Sequence, residues 1–219
     1  MKTNTCFAFT AIFLGVAIVG CQDKVKDQCD RGFHATIDHH FDLAISSYTE
    51  AVRLDPNCVE AYHGRGLAYT WKNENDKAIA DYTEALRLDP KNSGILYDRA
   101  CTYEYEEDHD NAIADCNEAI RVGMRLADSD EAIRLGMKKE VLLGMRLAGV
   151  YCIRGLAYER MGDHEKAVAD CTEAIRLNPK CGQAYYSRGL AYKGLHEDDK
   201  AEQDFAEAKR LGFSPDKGR

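Results

Sequence analysis

Residues 62–90 read YHGRGLAYTWKNENDKAIADYTEALRLDP, and the run RGLAY inside them, Arg65 to Tyr69, returns at Arg154 to Tyr158 and at Arg188 to Tyr192. The last two copies start 34 residues apart, the first two 89. Sliding the chain against itself by 34 gives five units: 25–58, 59–92, 93–126, 148–181 and 182–215. The seventh place is Arg31, Arg65, Arg99, Arg154 and Arg188, followed by Gly32, Gly66, Ala100, Gly155 and Gly189. Two later places are alanine throughout: Ala44, Ala78, Ala112, Ala167, Ala201, then Ala51, Ala85, Ala119, Ala174, Ala208. Pro56, Pro90, Pro179 and Pro215 stand near the unit ends, and the third unit has Met124 instead. The spacing of 89 is two periods plus a 21-residue insertion, residues 127–147. VGMRLA at Val122 returns as LGMRLA at Leu143, and EAIRVGM at Glu118 as EAIRLGM at Glu131, so the insertion reads as a local duplication.

Such a unit predicts a helix–turn–helix. Alanines seven apart lie on one helical stripe, where a facing helix can approach closely. The closing proline stops the second helix. One helix pair cannot bury its apolar stripes alone, so successive pairs stack. In the second unit Tyr62, Gly66, Tyr69, Ala78, Tyr82 and Pro90 fall at the offsets of the tetratricopeptide repeat (TPR), which the sequence resembles. The resemblance implies an all-α, TPR-like solenoid of five repeats with a 21-residue helical insertion between the third and fourth. Asp128 with Glu131 is a helix-start signal, so an extra helix is expected in the insertion, with Gly136 and Gly144 weakening it. The sequence departs from the family at the seventh place, where arginine replaces its usual leucine. These arginines are expected to bridge to acids on the second helices, where Asp81, Asp115, Asp170 and Asp204 recur and the first unit has Ser47. Recurrence in every unit argues for packing charges, since a catalytic site is needed once.

The chain of 219 residues is 45% hydrophobic and 30% charged with four prolines, which fits a soluble helical protein. A net charge of −8, with its cations interspersed among acids, gives no basic field for nucleic acid. The N-terminus differs in kind. An apolar run from Phe7 to Gly20 ends in Ile18-Val19-Gly20-Cys21 and is shorter than the ~20 residues a membrane-spanning helix needs. It reads as an export signal, residues 1–20. Its end resembles the lipobox of bacterial lipoproteins, which implies lipidation at Cys21, a short tether over residues 21–24 and attachment to an envelope membrane facing the periplasm or exterior. The tail is residues 216–219.

Export would let the remaining cysteines form disulfides. Cys29 and Cys58 hold the fifth and last places of the first repeat, Cys152 and Cys181 the same places of the fourth, and each pair is 29 apart. Two disulfides joining the start of one first helix to the start of the next are expected. Cys101 with Cys116 is a weaker pairing, and Cys171 takes a place usually filled by a buried aromatic. Neither HExxH, GxSxG, a P-loop nor CxxC occurs, so no catalytic residue, cofactor or metal centre is assigned. His39 and His40, between Asp38 and Asp42, sit at a turn that carries histidine again in later repeats, at His109, His164 and His196.

TPR resemblance implies a concave groove lined by the first helices. By place it would hold Phe33, His63, Leu67, Trp71, Tyr97, Tyr105, Leu156, Tyr186 and Leu190. Groove Lys and Asn of the kind that hold a peptide's terminal carboxylate are missing from these places, so extended or helical segments with hydrophobic anchors are the expected partners. The reading is a non-enzymatic, membrane-anchored scaffold or adaptor that binds other proteins. Its rival is a self-associating structural protein of the envelope.

Overall fold

A computed structural model of the chain describes residues 6–127 and 139–214. Ten α-helices follow one another among the described residues. They are α1 (Cys6–Ile37), α2 (Phe41–Leu54), α3 (Val59–Trp71), α4 (Asn75–Leu88), α5 (Ser93–Tyr105), α6 (His109–Ala127), α7 (Lys139–Arg160), α8 (His164–Leu177), α9 (Gly182–Gly194) and α10 (Asp198–Arg210). They form two compact units, Met1–Pro90 and Lys91–Arg219. In the first, α1 packs on α2 and α3, α2 on α3, and α3 on α4. In the second, each helix from α5 to α10 packs on the next, and α5, α7 and α9 also touch in sequence. First helices thus stack on first helices within each unit, the TPR-like arrangement.

One turn geometry makes every helix pair. The first helix ends with a residue in the left-handed region, at His39, Asn73, Glu107, Gly162 and His196, with φ between 58° and 80°. The next N–H reaches back to a carbonyl five residues earlier: His40 to Ala35, Glu74 to Tyr69, Asp108 to Tyr103, Asp163 to Tyr158 and Glu197 to Tyr192, at 2.8 to 3.0 Å. This Schellman closure satisfies carbonyls that the helix end would otherwise leave open.

At the other end of the repeat the proline sets the length. Where Pro56, Pro90 and Pro179 follow, α2, α4 and α8 stop after 14 residues; Met124 stands in that place in the third repeat, and α6 continues to 19. The insertion is described only in part, because residues 128–138 lie outside the described residues. Residues 139–147 are helical and lengthen α7 to 22 residues, against 13 in α3. Gly144 has a physical role there: a Cβ on it would come within 3.1 Å of the Leu177 carbonyl oxygen, so glycine lets α7 pass the end of α8. Leu147 is buried against Gly123 of α6.

The core between paired helices is built from small residues meeting one large one. Every alanine of the two recurring places is buried. The eighth-place glycine faces the aromatic of its own second helix: a Cβ on Gly32 would strike the Tyr48 ring at 2.8 Å, on Gly66 the Tyr82 ring at 2.6 Å, and on Gly189 the Phe205 ring at 2.6 Å. The neighbouring arginine then closes the pair. Arg65 donates to both carboxylate oxygens of Asp81 at 2.7 Å, and the forked bond recurs as Arg99–Asp115, Arg154–Asp170 and Arg188–Asp204. The expected bridges are therefore made by the aspartates. The recurring glutamates instead hold the arginine one turn on in the same helix, as in Glu84 with Arg87.

α1 runs unbroken from Cys6 to Ile37, so residues 21–24 are helical and lead directly into the first repeat. Residues 1–5 and the side chain of Cys21 lie outside the described residues, as do Pro215 and the 216–219 tail. Among the described residues no helix is long and apolar enough to cross a membrane.

Candidate functional site: exposed rings and paired thiols

A helix face that packs on nothing should be polar; in the first unit it is not. Phe33 is 55% exposed and Trp71 63%, and Ile37 and Leu43 are exposed as well. The indole of Trp71 lies parallel to the ring of Phe41, at 3° and 6.0 Å between centroids, while His39 meets both rings edge-on. His39 is placed there by its left-handed turn conformation. Beside these rings an open cavity of about 520 Å3 is lined by His39, His40, Phe41, Asp42, Leu43 and Lys72. Lys72 bonds Asp42 at 2.6 Å, pinning the end of α3 to the start of α2. His39, Phe41 and Ile37 were not among the residues expected from position in the repeat. The run His39-His40-Phe41 lies thirty positions from Trp71 in the sequence, and only the fold brings the rings together.

In the second unit Tyr105 is 64% exposed, at the end of α5. Next to it Glu104 is buried, with one carboxylate oxygen 2.9 Å from His109 Nδ1 and the other 3.1 Å from Arg160 Nη1. Glu159 is half-buried close by, and that burial raises its pKa. Glu104 was missed by sequence reasoning. The signal was its place in the repeat, which runs Thr36, Thr70, Glu104, Glu159, Lys193.

Of the nine residues expected in the groove, Phe33, Trp71 and Tyr105 are exposed; His63, Leu67, Tyr97, Leu156, Tyr186 and Leu190 are half-buried. Three of these visibly pack instead of presenting a free face. His63 lies 6.0 Å from the Tyr82 ring, Tyr186 lies 5.5 and 5.3 Å from Phe205 and Phe213, and a Cβ on Gly149 would fall 3.1 Å from the Tyr97 ring.

Both expected cysteine pairs are brought together as thiols. Cys29 Sγ stands 3.8 Å from Cys58 Sγ, and Cys152 Sγ 3.9 Å from Cys181 Sγ. Cys29 and Cys152 are buried, while Cys58 and Cys181 are half-buried and occupy the N-caps of α3 and α9. Burial pushes Cys29, Cys101 and Cys171 up to about 12, and Cys116 further. Cys181 moves the other way, down to about 6, through its hydrogen bond with Cys152 and the first-turn N–H groups of Ala184 and Gln183. Among the described residues no three His, Cys, Asp or Glu side chains converge on a metal-sized site.

Family models of the tetratricopeptide repeat match residues 59–92 and 148–181, and a second such model matches 93–122. No curated protein matches the chain significantly. Among solved structures, the chain is similar to MamA, at 25% identity over 87% of this chain and 92% of that one, with a TM-score of 0.69. YrrB, described as a TPR protein with an unusual peptide-binding site, aligns at 17% identity over 90% and 91%, with a TM-score of 0.66. PilF of Pseudomonas aeruginosa aligns at 17% over 89% and 79%, with a TM-score of 0.70. These matches indicate no catalytic family. The chain therefore carries tetratricopeptide repeats on an all-α, TPR-like scaffold.

Proposed function

We propose that this protein is a non-enzymatic interaction scaffold or adaptor that is exported, lipid-anchored through Cys21 and held at a bacterial envelope membrane, where its first-helix faces bind segments of other proteins. One observation carries the binding half: large rings at first-helix places, Phe33, Trp71 and Tyr105, are left more than half exposed on a scaffold whose other large side chains are mostly covered. A flat, rigid aromatic surface gives contact area at low entropic cost, which is why such rings anchor interfaces. The Trp71–Phe41 stack favours an apolar or aromatic anchor residue on the partner. The peptide-binding site named for YrrB supports the same class of ligand. The envelope half rests on the apolar run Phe7 to Gly20 followed by Cys21.

Cross-linked affinity capture from native membranes tests the binding reading, comparing the wild type with a Trp71→Ala, Tyr105→Ala variant of equal helicity and melting behaviour. Partners held by the first and lost by the second support it. If both capture the same proteins, the exposed rings are not the binding surface; if both capture only their own copies, with concentration-dependent sedimentation, the protein is a self-associating structural element. Metabolic labelling with a fatty-acid probe tests the anchor, which requires label on the wild type and none on Cys21→Ser.

A further inference from the structure

We propose that Cys29 with Cys58, and Cys152 with Cys181, are two redox-active dithiol sites that close into inter-repeat disulfides by exchange with a low-molecular-weight disulfide. This reading stands apart from the groove and is independent of what the groove binds.

Placement is the first ground. Both pairs join the first helix of one repeat to the N-cap of the next first helix, α1 to α3 in one unit and α7 to α9 in the other. A bond needs the sulfurs at about 2.0 Å, so thiols already 3.8 and 3.9 Å apart close by small side-chain rotations. The two members of each pair are also unequal. Cys58 and Cys181 are half-buried at helix N-termini, and at Cys181 the first-turn N–H groups of Gln183 and Ala184 favour a thiolate. Cys29 and Cys152 lie buried behind them. At the first pair the sulfurs line an open cavity of about 350 Å3, together with Val25, Lys26, Leu54 and Glu60, wide enough to admit a small disulfide.

These differences fix the order of steps. The Cys181 thiolate attacks one sulfur of the disulfide RSSR, the S–S bond breaks, and RS⁻ leaves. Cys152 then gives up its proton and attacks the Cys181 sulfur of the mixed disulfide, expelling the second RS⁻. Two cysteines are oxidised, one small disulfide is reduced to two RSH, and the two protons end on the leaving thiols. Cys101, Cys116 and Cys171, whose thiols burial holds in the protonated form, are left untouched.

The test uses the full chain with Cys6 and Cys21 replaced by serine, reduced, incubated with glutathione disulfide, then alkylated in denaturant and mapped by mass spectrometry. Linked peptides 29–58 and 152–181 are expected, each bridge lowering the mass by two hydrogens, with Cys101, Cys116 and Cys171 alkylated. Cys152→Ser should trap glutathione on Cys181 as a stable mixed disulfide, which the wild type resolves. Cys181→Ser should still form the Cys29–Cys58 bridge, which keeps the test decisive if Cys152→Ser folds poorly. Alkylation of all the cysteines, scrambled pairs, or wild-type protein that keeps glutathione on Cys181 would each overturn the proposal.

Discussion

The two compact units use one repeat plan but fill its centre differently. In the first, the second-helix aromatics are Tyr48 and Tyr82, each buried beneath a glycine, and each finds a threonine for its hydroxyl: Thr36 bonds Tyr48, and Thr70 lies 3.0 Å from the Tyr82 oxygen. In the second unit the same place is Cys116, Cys171 and Phe205, none with a hydroxyl, and the threonine place becomes Glu104, Glu159 and Lys193. Where the ring goes, the space-giving glycine can go too: Ala100 stands opposite the place of Cys116. The lesson is that ring and glycine form one set wherever a ring is kept, as Gly189 with Phe205, while threonine accompanies only the rings that carry a hydroxyl, and Gly155 outlasts the ring it once faced at the place of Cys171. The freed threonine place in the second unit has been taken over by charged residues, Glu104 among them buried against Arg160 and His109.

The largest expected effect separates the first repeat from the others. Arg65 and Asp81 are mostly buried, and the forked bond to Asp81 holds the guanidinium pKa up. Arg65→Met leaves Asp81 buried without its partner and should cost about 3 kcal/mol in urea-unfolding experiments. Arg31→Met should cost almost nothing, because Ser47 fills the aspartate's place and Arg31 is exposed. Equal losses from the two variants would break the comparison.

The next is a cycle at the ring place. Cys116→Tyr alone forces a ring against the Ala100 methyl and should destabilise by about 1–3 kcal/mol. In an Ala100→Gly background most of that loss should return, and the coupling between the two changes measures the set directly. Additive effects would mean that the glycine and the ring are independent.

Smallest is the change at Glu159. Burial raises its pKa, so ionisation costs more in the folded chain than in the unfolded one. The unfolded state therefore loses its proton first, and stability falls as pH rises from the unfolded carboxylate range through the folded pKa. Glu159→Gln should remove that part of the pH dependence and raise the melting midpoint slightly at neutral pH, with no gain in acid. Thermal scans across pH check both signs.

Much of this was legible in the sequence because it recurs. Arginine, glycine and alanine at fixed places announce paired helices, and the two cysteine pairs were found from equal placement alone. What recurrence could not supply was contact across elements. Asp81 and Glu84 are both candidate partners for Arg65, and only the facing of two helices selects the aspartate, sixteen residues away. His63, Tyr97 and Tyr186 all stand at the fifth place of their repeats, the place of the buried Cys29 and Cys152, and each has a particular neighbour that packs on it. Phe41 was invisible as a site residue because its value comes from stacking on Trp71, thirty positions on. The Glu104 cluster breaks the repeat, so a search for repetition passes over it.

The glycine that meets its own repeat's ring also bears on how such a chain can grow. Both halves of that fit lie within one period, so a copied period arrives with its own complement and folds by the same rule. A fragment copied out of register arrives with neither. The 21 residues of the insertion contain no aromatic residue and no Arg-Gly pair, and where they are described they only lengthen a helix that was already there. Inheritance in this protein is thus quantised: whole periods add repeats, and fractions add length.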